Sequence, residues 1–386
     1  MIEEGNVDMR DTSQPERTKL FHLLKEAWPL PVDEFFPLAY PFSPTDHVFT
    51  DARVVVREDE PSSIIAFTLD SQNYREQLAN SRQSRSDAPL TELRHADASH
   101  YLYEFDTETI KLWCKIFFAE QFDALRHMCG CAEQFVQSLS RCFKWDSRGG
   151  KSGSAFLKTR DDRFVVKQLS RTELDGFSKF APQYFTYLAE CQSALRPTAL
   201  TKIFGYFRIG FKNTHTGRSF KMDFMVMENL LYGRSVDRIF DLKGSTRHRF
   251  VQESGQPHEV LQDENLMQRA QSSPLLVREH SKRILRTALH NDSLFLTEMN
   301  VMDYSLIMAL DTSRNKMVIG IIDYLRTYTW DKRVESFVKE TAILGGGGKG
   351  EPTIITPRQY RMRFLTFLDR NILMTPDPWI QSGWVQ

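Results

Sequence analysis

The chain has 386 residues, of which 41% are hydrophobic and 26% charged, and its formal net charge at pH 7 is zero. This length and composition are typical of a folded protein with a substantial core, and they exclude a largely disordered chain. Because the charges balance, an anionic partner must be bound by a local basic patch, and we expect no nucleic-acid partner.

The five cysteines lack paired spacing, which predicts reduced thiols in the core and argues against a zinc site. The N-terminus is acidic and polar, unlike a signal peptide, and no apolar stretch approaches the length that spans a membrane. We therefore expect a cytoplasmic protein whose contact with membranes is peripheral.

The first 100 residues predict packing elements and connectors. Apolar residues at helical spacing predict a helix over Glu16–Trp28, which a proline-rich connector follows, so that residues 1–50 form an N-terminal extension. A strand over Arg53–Arg57 and a helix over Ser62–Leu78 come next. A polar, serine- and arginine-rich loop is predicted near residues 80–96.

From Tyr101 to Met227 the sequence is rich in predicted strands. The stretch Thr109–Phe117 is β-rich and aromatic, and Gln121–Met128 and Glu133–Cys142 have apolar residues at helical spacing. Further strand patterns predict a twisted antiparallel sheet of about five strands. These strands are Phe143–Asp146, Ala155–Thr159, Phe164–Leu169, Lys202–Gly210 and Ser219–Met227.

After Glu228 the pattern becomes mostly helical, with helices predicted over Glu259–Ala270, Pro274–His290 and Pro357–Leu373. A β-rich half over residues 51–228 followed by a helix-rich half over residues 229–386 predicts an α+β protein. We expect an antiparallel N-lobe, a mixed helical C-lobe and a cleft between them.

The centre of the second half has the pattern of a β-hairpin. Apolar stretches over Ser305–Leu310 and Lys316–Ile322 flank a polar turn, and a symmetric turn would place Asp303 opposite Asp323. Two carboxylates so close repel each other unless one is protonated or a cation lies between them, so the pair is a candidate metal and acid–base site. Two strand-end aspartates facing water, or a register shifted by a bulge, are the alternatives.

A glycine-rich stretch, Arg148–Ser154, lies between the predicted strands Phe143–Asp146 and Ala155–Thr159. Its glycines let backbone N–H groups approach a phosphate, although Trp145 stands where a Walker A loop needs glycine. A flap over a nucleotide is one interpretation, and a plain hairpin loop is the other. The flap would contact the nucleotide through Gly149, Gly150, Lys151, Gly153 and Ser154.

Lys167 lies in mid-strand among apolar neighbours, where an unpaired ammonium is costly. A phosphate, a carboxylate or both would satisfy it, whereas an edge strand would let it reach water. Glu173 is the obvious carboxylate, but it also completes a capping box with Ser170 and in that role need not touch Lys167.

Two further segments are candidates for ligand contacts. The strand end formed by Met227, Glu228, Asn229 and Leu230 joins the two halves and can offer backbone groups to a flat base such as adenine, or it is an ordinary linker. The stretch Ile239–Arg249 is a basic cluster around a glycine. It suits a multiply phosphorylated group or is a solvated turn. Its candidate contacts are Lys243, Arg247 and Arg249.

The segment Tyr324–Pro357 combines cations, apolar residues and four consecutive glycines. Such glycines are not rigid without a partner, and the mixture suits a loop that orders at an anionic membrane surface through Lys339 and Lys349. A disordered linker is the competing interpretation.

Taken together, the motifs resemble the phosphatidylinositol phosphate kinase family. They occur in the order GGKSGSAF, RFVVKQL, DLKGSTRHRF, NVMDYSLI and GIIDYLRTYTWDK, and the combination of DLKGS, MDYSL and IID is highly specific. The variants RSVDRIFDLKGSTRHR, VLQDENL, ILGGGGKG and LMTPDPW are most similar to the phosphatidylinositol 3-phosphate 5-kinase branch. The resemblance extends from about residue 50 to the end.

This resemblance implies a two-lobed, protein-kinase-like fold that uses ATP and Mg²⁺ to phosphorylate the 5-hydroxyl of phosphatidylinositol 3-phosphate. Lys167 would hold the ATP phosphates, Asp303 would orient or deprotonate the inositol hydroxyl, and Asp323 would bind Mg²⁺. Lys243 would contact the transferring or substrate phosphates, and residues 324–356 would form the activation loop that selects the lipid.

Two other functions stay open at this stage: a kinase for phosphatidylinositol 4-phosphate, and a phosphoinositide-binding adaptor without turnover. The presence of Lys167, Asp303 and Asp323 argues against the adaptor. The resemblance implies a peripheral location on endosomal or vacuolar membranes. The zinc finger and chaperonin-like domain that the branch usually carries upstream are not in this sequence, and we expect a catalytic fragment or a short form.

Overall fold

The computed structural model describes residues 43–50, 52–84, 93, 99–145, 155–256, 259–325 and 356–376. All of them except Ser43 belong to one compact unit, Pro44–Gln386. The described residues form a mixed α+β protein with eight helices and fifteen strands in four sheets. The predicted helix Glu16–Trp28 lies outside this part of the chain, and so does most of the polar loop predicted near residues 80–96. The described start of that loop, Asn80–Ser84, is not a loop but the end of a helix over Gln72–Ser84, where Arg82 pairs with Asp123.

The helices are α1 (Ser62–Asp70), α2 (Gln72–Ser84), α3 (Ala119–Met128), α4 (Ala132–Leu139), α5 (Arg171–Ser193), α6 (Asp263–Ser272), α7 (Glu279–Glu298) and α8 (Pro357–Asn371). The first strands are β1 (Asp46–His47), β2 (Val56–Arg57), β3 (Tyr101–Asp106), β4 (Ile110–Phe117), β5 (Cys142–Trp145), β6 (Phe156–Thr159), β7 (Phe164–Gln168), β8 (Ile203–Asn213) and β9 (Ser219–Glu228). The remaining strands are β10 (Arg238–Leu242), β11 (Val260–Leu261), β12 (Leu275–Arg278), β13 (Ser305–Asp311), β14 (Lys316–Ile322) and β15 (Ile372–Thr375).

The largest sheet has seven antiparallel strands in the order β3-β4-β8-β9-β7-β6-β5, not the predicted five or so. The two additional strands are β3 and β4, and β4 pairs with β8 along its whole length. The pattern of β3 hides its pairing, because Glu104 and Asp106 interrupt its apolar residues and are exposed.

Aromatic side chains join α3 and α5 to this sheet. Phe177 of α5 stacks on Tyr206 of β8 with ring centroids 4.4 Å apart, and Phe122 of α3 lies 6.1 Å from Phe177. All three side chains are fully buried. Burying large aromatic surfaces is the main stabilising contribution that these residues can make, which accounts for many of the phenylalanines in the sequence.

Several predicted helices have different bounds in the structure. The predicted helix Ser62–Leu78 is two helices, because Ser71 has an extended backbone with ψ of 145°. The predicted helices Glu259–Ala270 and Pro274–His290 each begin with a short strand, and Pro357–Leu373 ends in one. These strands, β11, β12 and β15, exist because they pair in parallel with β10 or with each other, and distant pairing overrides local helix propensity.

The predicted hairpin is confirmed, and it belongs to a four-stranded sheet in the order β11-β10-β13-β14. Its register differs by one residue from the symmetric turn, because Leu310 pairs with Met317 and Asp311 with Lys316. The prediction that Asp303 lies directly opposite Asp323 is therefore wrong.

Asp311 accounts for the shifted register. Its carboxylate accepts hydrogen bonds from Ser313 Oγ (2.6 Å) and from the N–H of Arg314 (3.0 Å), and these bonds close a four-residue loop after the last pair.

No helix in the described part of the chain combines the length and the apolar composition that a membrane crossing requires.

Candidate active site

Lys167 lies in β7, an interior strand of the seven-stranded sheet, and its side chain is buried. Its Nζ donates to Glu173 Oε1 at 3.2 Å and to Asp323 Oδ1 at 3.1 Å. The alternative in which Lys167 lies on an edge strand and its ammonium reaches water is thereby excluded. The predicted pairing of Lys167 with Glu173 is confirmed. The two carboxylates offset the free-energy cost of removing this ammonium from water.

Glu173 serves both predicted roles at once. Its Oε2 accepts the N–H of Ser170 at 2.9 Å, and Ser170 Oγ accepts the N–H of Glu173 at 3.3 Å, which completes the capping box of α5. Burial raises the pKa of Glu173, but the charge of Lys167 and the hydrogen bonds from Ser170 outweigh it and hold the pKa below its ordinary value. The first turn of α5 thus fixes an ionised carboxylate against Lys167.

Asp323 follows the last residue of β14 in a left-handed backbone conformation, with φ of 59°. Its side chain is 43% exposed, so the carboxylate that meets Lys167 also reaches solvent. The strand before it is held by a parallel contact. The N–H of Ile321 donates to the carbonyl of Ala199 at 2.6 Å, and the N–H of Thr201 donates to the carbonyl of Ile321 at 3.0 Å.

Asp292 on α7 anchors this parallel contact, and it is not among the residues predicted from the sequence. Its fully buried carboxylate accepts the N–H of Ala199 at 2.6 Å, Thr198 Oγ1 at 2.8 Å and the Tyr187 hydroxyl at 2.6 Å. Burial raises the pKa of Asp292 although these three donors oppose it. Asp292 therefore positions, through Ala199, the strand end that carries Asp323.

Lys243 and Asp303 form a second lysine–aspartate contact. Lys243 directly follows β10, and its Nζ donates to the main-chain carbonyl of Asp303, which has φ of 63°. Burial lowers the pKa of Lys243 below its ordinary value, although the charges of Asp241, Asp323 and Asp303 act in the opposite direction. The hairpin aspartates therefore both lie within electrostatic range of Lys243.

The structure thus brings Lys167, Asp323, Lys243 and Asp303 together at one end of the hairpin. Two ammonium groups can neutralise phosphate oxygens, and carboxylates can hold a hard cation or accept a proton. Among the described residues there is no cluster of three or more potential metal ligands. The partly exposed carboxylate of Asp323 offers oxygen ligands of the kind that Mg²⁺ takes when waters and phosphates complete its shell.

The two arginines that were predicted to contact substrate phosphates differ in whether other residues of the protein already bind them. Arg249 is engaged internally, with Nε 2.8 Å from Asp263 Oδ2 and a second nitrogen 2.9 Å from Asp241 Oδ1. Arg247 is exposed. Contact between either arginine and a substrate phosphate stays a prediction, and the internal pairs of Arg249 favour Arg247 for it.

The strand end that was predicted to meet adenine is an ordered connection. The N–H of Glu228 donates to the carbonyl of Lys202 at 3.0 Å, and the N–H of Asn229 donates to the carbonyl of Arg163 at 2.9 Å. Asn229 also donates from Nδ2 to the carbonyl of Asp162 at 2.7 Å. These contacts fix the backbone course, and binding of a base by Met227, Glu228, Asn229 and Leu230 stays a prediction.

The remaining predicted site residues lie outside the described residues. They are the flap residues Gly149, Gly150, Lys151, Gly153 and Ser154, and the basic residues Lys339 and Lys349 of the predicted activation loop.

A family model described as phosphatidylinositol-4-phosphate 5-kinase matches residues 138–317 and 310–371, which is more than half of the chain. The chain belongs to this phosphatidylinositol phosphate kinase family. The family predicted from DLKGS, MDYSL and IID is therefore confirmed. Lys167, Lys243, Asp303 and Asp323 all lie within the matched residues.

Curated members of this kinase family are similar to most of the chain. The 1-phosphatidylinositol 3-phosphate 5-kinase FAB1 of Saccharomyces cerevisiae is 40% identical over 97% of this chain and 20% of the relative. The human 1-phosphatidylinositol 3-phosphate 5-kinase is 44% identical over 78% of this chain and 14% of the relative. The chain thus spans one fifth or less of the length of these relatives.

Proposed function

We propose that the chain is the catalytic part of a 1-phosphatidylinositol 3-phosphate 5-kinase, which transfers the γ-phosphoryl group of ATP to the 5-hydroxyl of phosphatidylinositol 3-phosphate. The proposal rests on the convergence of the Lys167–Asp323 and Lys243–Asp303 contacts at one end of the hairpin. The names of the similar proteins in yeast and human favour the 3-phosphate as the acceptor.

Each of the four residues has a distinct role in this proposal. Lys167 binds ATP phosphates under the flap over residues 149–154, and Lys243 binds the transferring or substrate phosphate. Asp303 orients the 5-hydroxyl and accepts its proton as the new O–P bond forms and the bond from the γ-phosphorus to ADP breaks. Such positioning and charge neutralisation account for most of the catalysis in phosphoryl transfer.

Asp323, with Asp303, is the group that would hold Mg²⁺. Its carboxylate is partly exposed beside a lysine that suits phosphate, and carboxylate and phosphate oxygens are the ligands that Mg²⁺ prefers. When bound, the ion neutralises the charge that the β- and γ-phosphates share.

The wider arrangement of the proposed kinase follows the family. Residues 51–228 form an N-lobe, residues 229–386 a C-lobe, and adenine binds at the connection 227–230. Residues 324–356 select the lipid, with Lys339 and Lys349 on the anionic membrane and Arg247 near the inositol phosphates. We propose a peripheral location on endosomal or vacuolar membranes.

A panel of lipids tests the proposed function. The protein is incubated with γ-labelled ATP and vesicles that contain phosphatidylinositol 3-, 4- or 5-phosphate, and the position of the new phosphate is determined. We expect label at the 5-position of phosphatidylinositol 3-phosphate. Label with phosphatidylinositol 4-phosphate alone would instead support the second candidate, which the description of the family model favours.

The variant Asp323→Asn tests the role of the site in the same assay. We expect it to lose at least about a hundredfold in kcat while vesicle binding survives, because an amide would hold Mg²⁺ less well than a carboxylate and the neutralisation of phosphate charge by the ion would be lost. Asp162→Asn is the matched control, since Asp162 also has a left-handed backbone and pairs with a lysine, Lys158, at 2.9 Å. Equal kcat in Asp323→Asn and the unchanged protein would contradict the role of Asp323. Vesicle binding by the unchanged protein without turnover of any lipid would support the adaptor and contradict the proposed function.

A further inference from the structure

Asp263, the first residue of α6, has a fully buried carboxylate that collects three consecutive backbone donors. Its Oδ1 accepts the N–H groups of Lys243 at 3.0 Å, Gly244 at 2.7 Å and Ser245 at 3.2 Å. Successive N–H groups that converge on one anion fix the backbone between them far more tightly than a single hydrogen bond does. The conformation of the loop that carries Lys243 therefore depends on this carboxylate.

The second oxygen of Asp263 is also occupied. It accepts Arg249 Nε at 2.8 Å, and Arg249 additionally binds Asp241 Oδ1 at 2.9 Å. A buried carboxylate is tolerated when its lone pairs are filled and a cation balances its charge, and both conditions are met here. Asp263 is thus a buried anchor with both carboxylate oxygens engaged, Oδ1 by the backbone of the loop and Oδ2 by Arg249.

The same loop is fixed on its other side by α8. Gly244 has φ of 71°, and a Cβ there would lie 2.6 Å from Cα of Phe364 and 3.0 Å from the N atom of Phe364. Gly244 is therefore held between the carboxylate of Asp263 and the backbone of α8. From this fixed backbone the side chain of Lys243 extends to the carbonyl of Asp303.

We propose that Asp263 is a positioning residue for phosphoryl transfer: its carboxylate holds the loop Lys243–Ser245 so that the ammonium of Lys243 stays beside Asp303. This inference rests on the proposed function, because Lys243 is the residue through which Asp263 acts. Asp263 itself touches neither the nucleotide site at Lys167 nor the hairpin aspartates in any contact that the structure describes.

The variant Asp263→Asn separates positioning from a purely structural role. An amide offers the three N–H donors a neutral oxygen or opposes them with an NH₂ group, so we expect the loop to loosen. The kcat should fall at least about tenfold, because small displacements of a catalytic group are costly, while KM for ATP changes less than about twofold. The nucleotide site at Lys167 remains intact in this variant.

Glu264→Gln is the matched control. It removes one negative charge from the same first turn of α6, and the Glu264 side chain forms no ion pair or hydrogen bond within the described part of the chain. We expect its kcat and KM to equal those of the unchanged protein. Equal loss of kcat in both variants would assign the effect to charge at the helix start and overturn the proposal.

Amide hydrogen exchange gives a second readout that does not depend on turnover. We expect faster exchange in a peptide that covers residues 242–246 in Asp263→Asn, and unchanged exchange there in Glu264→Gln. If Asp263→Asn does not fold, Asp263→Glu keeps the charge, displaces the carboxylate and should show the same split between kcat and KM. If kcat and the amide exchange of residues 242–246 stay the same in the folded variant, the positioning role of Asp263 is contradicted. If the protein without any substitution is inactive, only the proposed function is contradicted.

Discussion

The buried ammonium of Lys167 pairs with two carboxylates that differ in their exposure to solvent. Glu173 is itself buried and tied to Ser170, whereas Asp323 is partly exposed at the end of β14. Solvent screens the second contact more than the first, so the bond to Glu173 is the stronger and more permanent of the two. A phosphate can therefore take the place of Asp323 beside Lys167 without leaving the ammonium unpaired.

The ionisation of Glu173 should be visible in the acid stability of the protein. Its pKa is lower in the folded protein than in the unfolded chain, so the stabilisation is complete above the ordinary pKa of 4.5 and is lost as the pH falls through the folded value. We expect the free energy of unfolding to fall less steeply in Glu173→Gln than in the unchanged protein between about pH 5 and pH 3.

Urea denaturation at several pH values measures this difference. The variant should also be less stable at pH 7, because Lys167 then keeps only its partly exposed partner. Parallel pH profiles for the two proteins would show that Glu173 titrates normally in the folded state.

At the scale of elements, α8 supports the Lys243–Asp303 contact from both sides without contributing a residue to it. Tyr360 donates its hydroxyl to the carbonyl of Tyr304, which directly follows Asp303. The Tyr304 ring packs against Tyr360 at 4.8 Å and Phe364 at 5.1 Å, and Gly244 lies against the backbone of Phe364. The position of α8 therefore sets the distance between the two loops that it touches.

Gly244→Ala should break this support, and Gly233→Ala is its control. Both glycines have positive φ, of 71° and 65°, but a Cβ at Gly233 would meet no described atom within 4 Å. Alanine at residue 233 should cost about 1 kcal/mol for its backbone conformation alone. Alanine at residue 244 should cost about 2–4 kcal/mol, because the overlap with Phe364 adds to the same backbone cost. Equal free energies of unfolding in the two variants, from urea denaturation, would contradict the close packing.

The local elements that sequence could predict are those with their own periodic pattern. The hairpin strands were predicted to within one residue, because two apolar stretches flank a polar turn. The strands β11, β12 and β15 were assigned to helices, because each is short and exists only through a distant partner. The one-residue error in register came from Asp311, whose turn contacts are invisible in an apolar pattern.

The candidate site was predictable only where a residue stands out against the pattern of its own element. Lys167 was identified because a lysine within an apolar strand needs a partner. Asp292 was missed, although it lies on the buried stripe of α7 with Leu285, Leu289 and Leu296, which is the signal that could have revealed it. Asp263 was missed because three of its partners are the backbone N–H groups of residues 243–245, which no side-chain pattern encodes.

At the scale of the molecule, the site exists only when two separate sheets meet. Lys167 belongs to the seven-stranded sheet, and Asp323 ends a strand of the four-stranded sheet, 156 positions later. The contact of Ala199 and Thr201 with Ile321 joins these sheets directly beside the site. Destabilising either sheet should therefore reduce activity even where no site residue changes.

The neutral net charge also matters at this scale. A protein with 50 basic and 50 acidic residues gains no general attraction to an anionic membrane, so attachment must come from a local concentration of cations. The proposed membrane contact through Lys339 and Lys349 is one such concentration.

We propose above all that the Lys167–Asp323 and Lys243–Asp303 contacts at the end of the hairpin form the nucleotide and phosphoryl-transfer site. A crystal structure with a non-hydrolysable ATP analogue and Mg²⁺ tests it most directly. We predict phosphate oxygens within about 3 Å of Lys167 Nζ and an Asp323 carboxylate oxygen about 2.1 Å from the ion. A nucleotide bound away from Lys167, or an ion held by other residues with Asp323 facing only solvent, would contradict the account.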